Sequence, residues 1–178
     1  SLAMSNHVKT TADKSQGNNG WHVVCAVDGN RTSEDPSACG WRVPAGKTGT
    51  MLFAFDETVT LNRIDLYPAG QGVGFGSLFP RSVHIYVATG GAPGEVPTEW
   101  QEVYGNDAVS RPTTEVPVIR FDAVQADWVK IVIENSVQAT ELAEVELYHD
   151  NGSIPAPGPT SYEEIVQEPF YGSLYYQA

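Results

Sequence analysis

Apolar and polar residues alternate with a period of two in several short stretches, which is typical of half-buried β-strands. The clearest stretch is 82–88, where Val83, Ile85 and Val87 share one face and His84 lies on the other. The same pattern predicts strands at Trp21–Val24, Thr50–Phe55, Asn62–Tyr67, Val118–Phe121, Trp128–Glu134 and Glu144–Tyr148. No stretch keeps a helical period, and turn residues separate the strands. An all-β antiparallel sandwich or barrel is therefore predicted.

The domain organisation follows from changes in composition along the chain. Residues 1–20 are polar and predict a flexible or lightly pinned lead-in, whose first residues, Ser1–Ala3 ahead of Met4, are interpreted as an expression remnant. Residues 21–150 hold the strands. Residues 151–178 begin with NGSIPAPGP, a proline-rich linker, and end in an aromatic tail. A linker at this position predicts that further modules belong to the same parent chain.

Length and charge exclude several classes of protein. The chain has 178 residues, of which 41% are hydrophobic, enough for one domain with a core. Its formal net charge of −12 argues against nucleic acid as a partner and against an anionic membrane surface. No apolar run reaches the roughly 20 residues that a membrane-spanning helix needs.

The two cysteines, Cys25 and Cys39, lie 14 positions apart. They are able to close a disulfide around the intervening loop or to remain as two reduced, buried thiols, and the spacing leaves both alternatives open. Two cysteines alone do not form the usual zinc site.

The loop that follows Cys25 is rich in oxygen ligands. Asp28, Gly29 and Asn30 form a tight-turn sequence, and Ser33 or Thr32 would add a hydroxyl group. Calcium takes six to eight oxygens from carboxylates and carbonyls, so the sequence is compatible with a calcium site completed by a distant carboxylate such as Glu144. The alternative is an ordinary turn without a metal.

Five motifs occur in an order that resembles the coagulation factor 5/8 type C, or discoidin-like, domain and its bacterial relatives, the family 32 carbohydrate-binding modules. They are AVDGN, LFAFDETVTLNRIDLYP, FPRSVHIYVATGG, FDAVQADWVKIVIEN and LAEVELY. The resemblance covers approximately residues 21–149. It implies a galactose-binding-like jelly-roll sandwich of about eight antiparallel strands.

The resemblance also implies one structural calcium ion beside the first turn. Its ligands would be the side chains of Asp28 and Glu144, the carbonyls of Cys25, Asn30 and Ala143, and the hydroxyl of Ser33. The chain departs from the family pattern here, because Trp41 follows the turn only after an insertion.

A sugar site is implied on loops that converge at one end of the sandwich. A pyranose ring offers an apolar face to an aromatic side chain, and its hydroxyls need hydrogen-bond partners. Phe75, which lies between two glycines, is the predicted stacking residue. The other predicted ligand-binding residues are Trp41, Arg42, Arg81, Tyr104 and Asn135.

Motifs for catalysis are lacking in the sequence. It contains no GxSxG, HExxH or phosphate-binding loop, and no carboxylate pair suggests a glycosidase. We expect a non-catalytic module that binds a terminal, galactose-type sugar of a glycan. It would target a larger extracellular or cell-surface bacterial protein that acts on glycosides. The alternative is a protein- or cell-surface-adhesion domain without a sugar site.

Overall fold

The computed structural model describes residues 1–4, 7–13, 23–29, 40–69, 76–91, 94–113 and 115–157. These residues form two 3-10 helices, Leu2–Met4 and Val23–Val27, and seven strands. The strands are β1 (Val8–Ala12), β2 (Trp41–Val43), β3 (Thr48–Pro68), β4 (Ser82–Ala88), β5 (Gln101–Asn106), β6 (Val118–Glu134) and β7 (Thr140–Tyr148). Neither helix in this described part of the chain is long and apolar enough to cross a bilayer.

The two longest strands, β3 and β6, pair with each other and run through two layers. Their antiparallel register shifts between Ala54 and Val59. Before the shift, β3 and β6 form a layer with β1, β4 and β5, which we call the front sheet. After the shift, they form a layer with β7 and β2, the back sheet. The polar sequence Asp56–Thr58 lies in the irregularity, which bends the strand from one layer to the other.

The hydrophobic core lies between the two sheets. Alternate residues of the front sheet, such as Phe53, Ile85 and Ile131, are completely buried. They belong to one cluster with Leu66 and Leu147 of the back sheet. The predicted all-β sandwich is confirmed, and its inward-facing residues are those that the alternation indicated.

The predicted strands correspond to fewer, longer elements. Thr50–Phe55 and Asn62–Tyr67 are both parts of β3, and Val118–Phe121 and Trp128–Glu134 are both parts of β6. The sequence pattern broke in each case because the alternation changes phase along the strand. In β3 the core residues are odd-numbered through Leu61 and even-numbered from Ile64, at a second register shift between Leu61 and Arg63. In β6 the buried positions Ile119, Ala126 and Val129 likewise do not keep one phase. The strand prediction at Trp21–Val24 is wrong for its last two residues, which begin the second 3-10 helix.

Of the two alternatives for the lead-in, flexible or lightly pinned, β1 fits the pinned one. Its five residues pair with β3 from Val8 opposite Phe55 to Ala12 opposite Met51. Val8 and Ala12 also pack against the core. The five residues of β1 alternate only between partly buried and exposed positions, and this pattern is too weak to predict a strand from the sequence. An edge strand of this kind depends on its pairing with a neighbouring strand, which the local sequence does not show.

The predicted linker is also partly ordered. Residues 151–157 continue from β7 along the back sheet, and Ile154 is only 5% exposed. The carbonyls of Ile154 and Pro155 accept hydrogen bonds from Arg63 of β3. We call residues 149–157 the strap. Residues 158–178, with the predicted aromatic tail, lie outside the described residues.

Of the two alternatives for the cysteines, the structure has the disulfide, because Cys25 is disulfide-bonded. The chain's other cysteine, Cys39, lies outside the described residues.

Candidate functional site

Four loops meet at one end of the sandwich, which we call the loop end. They comprise residues 44–47, 76–81, 107–112 and 135–139. The amide of Gly46 donates to the carbonyl of Asn135 at 3.0 Å, and the amide of Val109 donates to the carbonyl of Arg81 at 3.0 Å. These hydrogen bonds join segments that are far apart in sequence. The described loops therefore converge as the resemblance implied.

Arg81 is the predicted ligand-binding residue that remains exposed at the loop end. Its guanidinium makes one long hydrogen bond, 3.4 Å, to the carbonyl of Val109. Beside it, the Gln138 side-chain amide donates to the carbonyl of Ser77 at 2.7 Å. The Ser77 hydroxyl is buried and has no hydrogen-bond partner among the described residues. A water or a ligand hydroxyl would satisfy it.

Trp41 does not fit its predicted role as a ligand-binding residue. β2 pairs with β7, with Trp41 opposite Leu142, and the indole is completely buried in the core. Gly49 allows this packing, because a Cβ added there would lie 3.1 Å from the Trp41 ring and 2.4 Å from the Val43 side chain. The Trp41 ring is therefore unavailable to a sugar.

Asn135 also has a structural role. Asn135 is 3% exposed, and its Oδ1 accepts hydrogen bonds from the amides of Val137 and Gln138. This Asx-type turn shapes the loop after β6. The prediction that Asn135 contacts a ligand is contradicted, although the residue does organise the loop end.

Arg42 and Tyr104 are partly available. Arg42 forms an ion pair with Glu141, and the two side chains are 29% and 5% exposed. Tyr104 is half-buried and packs against the core, and its hydroxyl accepts a 3.4 Å hydrogen bond from Asn106. Each side chain is therefore already engaged within the protein. The remaining predicted sugar ligand, Phe75, lies outside the described residues.

The proposed cation ligands divide between a surface turn and a buried strand. Glu144 and Ala143 are completely buried in β7. The 3-10 helix Val23–Val27 contacts β7 and is followed directly by Asp28, which is exposed, and by Gly29 at φ +87°. This tight turn brings oxygen ligands near the strand that carries Glu144. Two further predicted ligands, Asn30 and Ser33, lie outside the described residues.

The donor set fits a calcium ion. Full burial of a carboxylate such as Glu144 is costly unless positive charge or hydrogen-bond donors surround it. Carboxylate and main-chain carbonyl oxygens are the ligands that calcium takes. If bound, the ion would supply charge neutralisation and hold the turn against β7, without any part in chemistry.

The sequence reasoning missed the outer face of the front sheet. The alternation that buries Val129 and Ile131 places Trp128 and Lys130 on the opposite face, away from the core. The Lys130 ammonium lies 4.7 Å from the Tyr86 ring and 4.4 Å from the Trp100 ring. The signal in the sequence is the parity of Trp128 with Lys130, which places both residues on the face opposite Val129 and Ile131.

No protein-family model and no curated protein matches the sequence. Solved structures do match the fold. Chitosan-binding module 2 of a chitosanase/glucanase from Paenibacillus sp. IK-5, solved with chitotriose, has a TM-score of 0.62 and 21% identity, over 84% of this chain and 100% of that module. The family 32 module of NanJ from C. perfringens, solved with galactose, has a TM-score of 0.60 and 16% identity, over 79% and 93%.

A lectin from an animal has the same architecture. The fucolectin of Morone saxatilis serum has a TM-score of 0.59 and 18% identity, over 82% of this chain and 47% of that one. At these identities the likeness establishes the fold and no more. The chain thus has the all-β sandwich fold of these modules, and the resemblance to discoidin-like domains is confirmed at the level of fold.

Proposed function

We propose that the protein is a carbohydrate-binding module without catalytic activity. The observation that carries this proposal is the convergence of four loops at one end of the sandwich, around the exposed Arg81 and the buried hydroxyl of Ser77. The same fold serves modules that were solved with chitotriose and with galactose. The sandwich is a rigid scaffold that positions these loops, and binding residues are usually found on loops held in this way.

The loop end offers complementary chemistry to a sugar. The exposed guanidinium of Arg81 donates hydrogen bonds to ring hydroxyls. Phe75 belongs to the same connection between β3 and β4, and we propose it as the stacking face. A single sugar offers few atoms, and each polar contact displaces well-held water. Affinity should therefore be modest.

The finer assignment is a terminal sugar of galactose type. A terminal residue suits a site made of loop tips, because one or two rings suffice to fill it. The module would target a larger extracellular or cell-surface bacterial protein to its glycan, with neighbouring modules adding avidity.

Binding is tested by a glycan array followed by titration with the best ligand. Arg81→Ala should weaken binding about tenfold, the effect of losing a charged hydrogen bond. Arg120→Ala is the matched control, because Arg120 is 56% exposed and lies on the back sheet. Binding to cell-surface protein with no response to any glycan would favour the adhesion-domain alternative and reject the proposal.

We further propose that calcium binds between Asp28, Glu144 and main-chain carbonyls of Cys25, Asn30 and Ala143, with Ser33 supplying a hydroxyl. An ion that binds only the folded state stabilises it by about 2.7 kcal/mol at a hundredfold excess over Kd. A chelator should lower the melting temperature of the wild type and leave that of Glu144→Gln unchanged. Equal melting with and without the chelator, in protein shown to be metal-free, would reject the site.

A further inference from the structure

A groove of about 630 Å³ crosses the outer face of the front sheet, away from the loop end. It is a depression open to solvent, and its volume lies within the range of about 300–1,000 Å³ that is usual for small-molecule sites. Its floor consists of Leu52 and Ala54 of β3 and Trp128 of β6. Lys9 and Thr11 of the edge strand β1 form one side.

The sheet register explains why the indole of Trp128 can form the floor. Trp128 is opposite Ala54 on one neighbouring strand and opposite Ala88 on the other. Two alanines leave no bulky side chain beside the indole. Trp128 is half-buried, whereas its neighbour Val129 is completely buried in the core.

The second side of the groove is the loop after β4. Gly90, Gly91 and Gly94 line it, with φ values of +78°, +90° and +82°. A Cβ added at any of them would meet nothing within 4 Å, so no packing inside the protein excludes a side chain there. The left-handed conformation favours glycine, and the result is a wall of bare main chain that a ligand can approach closely.

Carboxylates lie at the end of the groove where β3 changes layers. Asp56 and Asp127 both line it. Asp127 accepts hydrogen bonds from the hydroxyl of Thr58 at 2.5 Å and from the amide of Gly90 at 2.6 Å. These bonds fix the glycine wall to the bend of β3. Asp56 makes a 3.1 Å contact with the His7 ring. Both carboxylates therefore have a polar partner within the protein.

We propose that this groove is a second saccharide-binding site, which takes an internal stretch of a glycan chain. The floor suits the apolar C–H face of a sugar ring. The carboxylates accept hydrogen bonds from hydroxyls at the ring edge, and the Lys9 ammonium donates one from the side. A purely apolar ligand would cover these charged groups without offering them further hydrogen bonds in place of water. An open depression accommodates a chain that continues beyond the site.

The inference rests on the proposed function for the class of ligand, but it concerns different residues. Two sites on one module would let it hold a chain end at the loops and a chain interior at the groove. Binding of a long oligosaccharide would then exceed that of a monosaccharide through effective concentration.

The two sites are separated by titrating the isotope-labelled protein with galactose, chitotriose and cellopentaose and following its amide and indole NMR signals. We expect saturable shifts of the Trp128 indole and of the Gly91 and Gly94 amides with at least one of the two longer saccharides. Shifts confined to Ser77 and Gln138 would overturn the groove and leave the proposed function standing. Shifts confined to the groove would support it and reject the loop end. No saturable shift with any of the three saccharides would overturn both.

Variants then test whether the floor of the groove binds the saccharide. Trp128→Ala should raise the Kd measured from the groove signals at least tenfold, and Ala54→Arg, which fills the groove from the outer face, should abolish those shifts. Thr50→Arg is the matched control, because Thr50 lies on the same face of β3 but does not line the groove. Melting curves verify that each variant is folded. Unchanged groove affinity in folded Ala54→Arg would overturn the proposal.

Discussion

The outer faces of the two sheets differ in whether their charged side chains are buried or remain exposed to solvent. On the back sheet, Arg63 is 1% exposed, and it is covered by the strap. Its guanidinium donates five hydrogen bonds: two to Asp65, one to Asp150 and one each to the carbonyls of Ile154 and Pro155. Every N–H group of this buried cation is therefore satisfied.

On the front sheet, charged groups remain near solvent. His84 contacts Glu102 and Asp107, whose side chains are 45% and 80% exposed. Lys130 lies over aromatic rings, and burial lowers the pKa of its ammonium. The groove beside these groups is uncovered. Burying a charge demands a complete set of partners, so the back face holds its cation in a closed hydrogen-bond network, whereas the charged groups of the front face keep contact with solvent.

The sharpest test of the comparison is to remove the buried cation. Arg63→Met leaves the buried Asp65 without its guanidinium partner and removes one of the partners of Asp150, and should lower the free energy of unfolding by about 3–5 kcal/mol. Arg120→Ala, which removes an exposed partner of the same Asp150, should cost less than about 1 kcal/mol. Chemical denaturation measures both, and similar losses in the two variants would contradict the distinction.

Removing the carboxylate at the start of the strap should have a pH-dependent effect. Burial raises the pKa of Asp150, but hydrogen bonds from Arg120, Gly152 and Arg63 outweigh it and hold that pKa well below its usual range. Its contribution is therefore complete above about pH 4 and is lost as pH falls through the folded-state pKa. Asp150→Asn should cost about 2 kcal/mol at pH 7.

The measurement compares the unfolding free energies of wild type and Asp150→Asn from pH 7 down to pH 2. The difference should shrink in acid. A difference that stays constant over this interval would show that the cost of Asp150→Asn does not come from the ionised carboxylate.

Truncating Ile154, the apolar side chain that anchors the strap, should have an effect of similar size. Ile154 is 5% exposed, so Ile154→Ala loses buried hydrocarbon and should cost about 2 kcal/mol. The control is Val96→Ala at the rim of the front groove, because Val96 is 55% exposed. Thermal melting of both variants should show a clear decrease only for Ile154→Ala. If both melt like the wild type, the strap is not a stabilising element.

The smallest effect should come from the front-sheet histidine. Hydrogen bonds to Asp107 and then Glu102 raise the pKa of His84. The stabilisation is therefore complete below about pH 6.5 and is lost as pH rises through the folded-state value. His84→Gln should lower the melting temperature slightly at pH 5 and not at pH 9. The reverse order would contradict the assigned charge state.

The two faces also show where sequence reasoning succeeded. The parity of Val83, Ile85 and Val87 indicated the core of the front sheet correctly. The alternation could not show that Arg63 is buried, because a cation on the polar face of an alternating strand looks like a surface residue until the strap covers it. Likewise, Trp41 and Asn135 had the right chemistry for a ligand, and only their packing reveals structural roles.

The sequence by itself determined the all-β class, the inward faces of the strands and the lack of catalytic motifs, because a period of two is a local property of extended chain. The tertiary structure alone decided that β3 and β6 each span both sheets, that residues 151–157 dock on the back sheet, and that Trp128 forms the floor of a groove. These features depend on contacts between residues far apart in the chain. Their energies come from burial and complete hydrogen bonding, which no local pattern records.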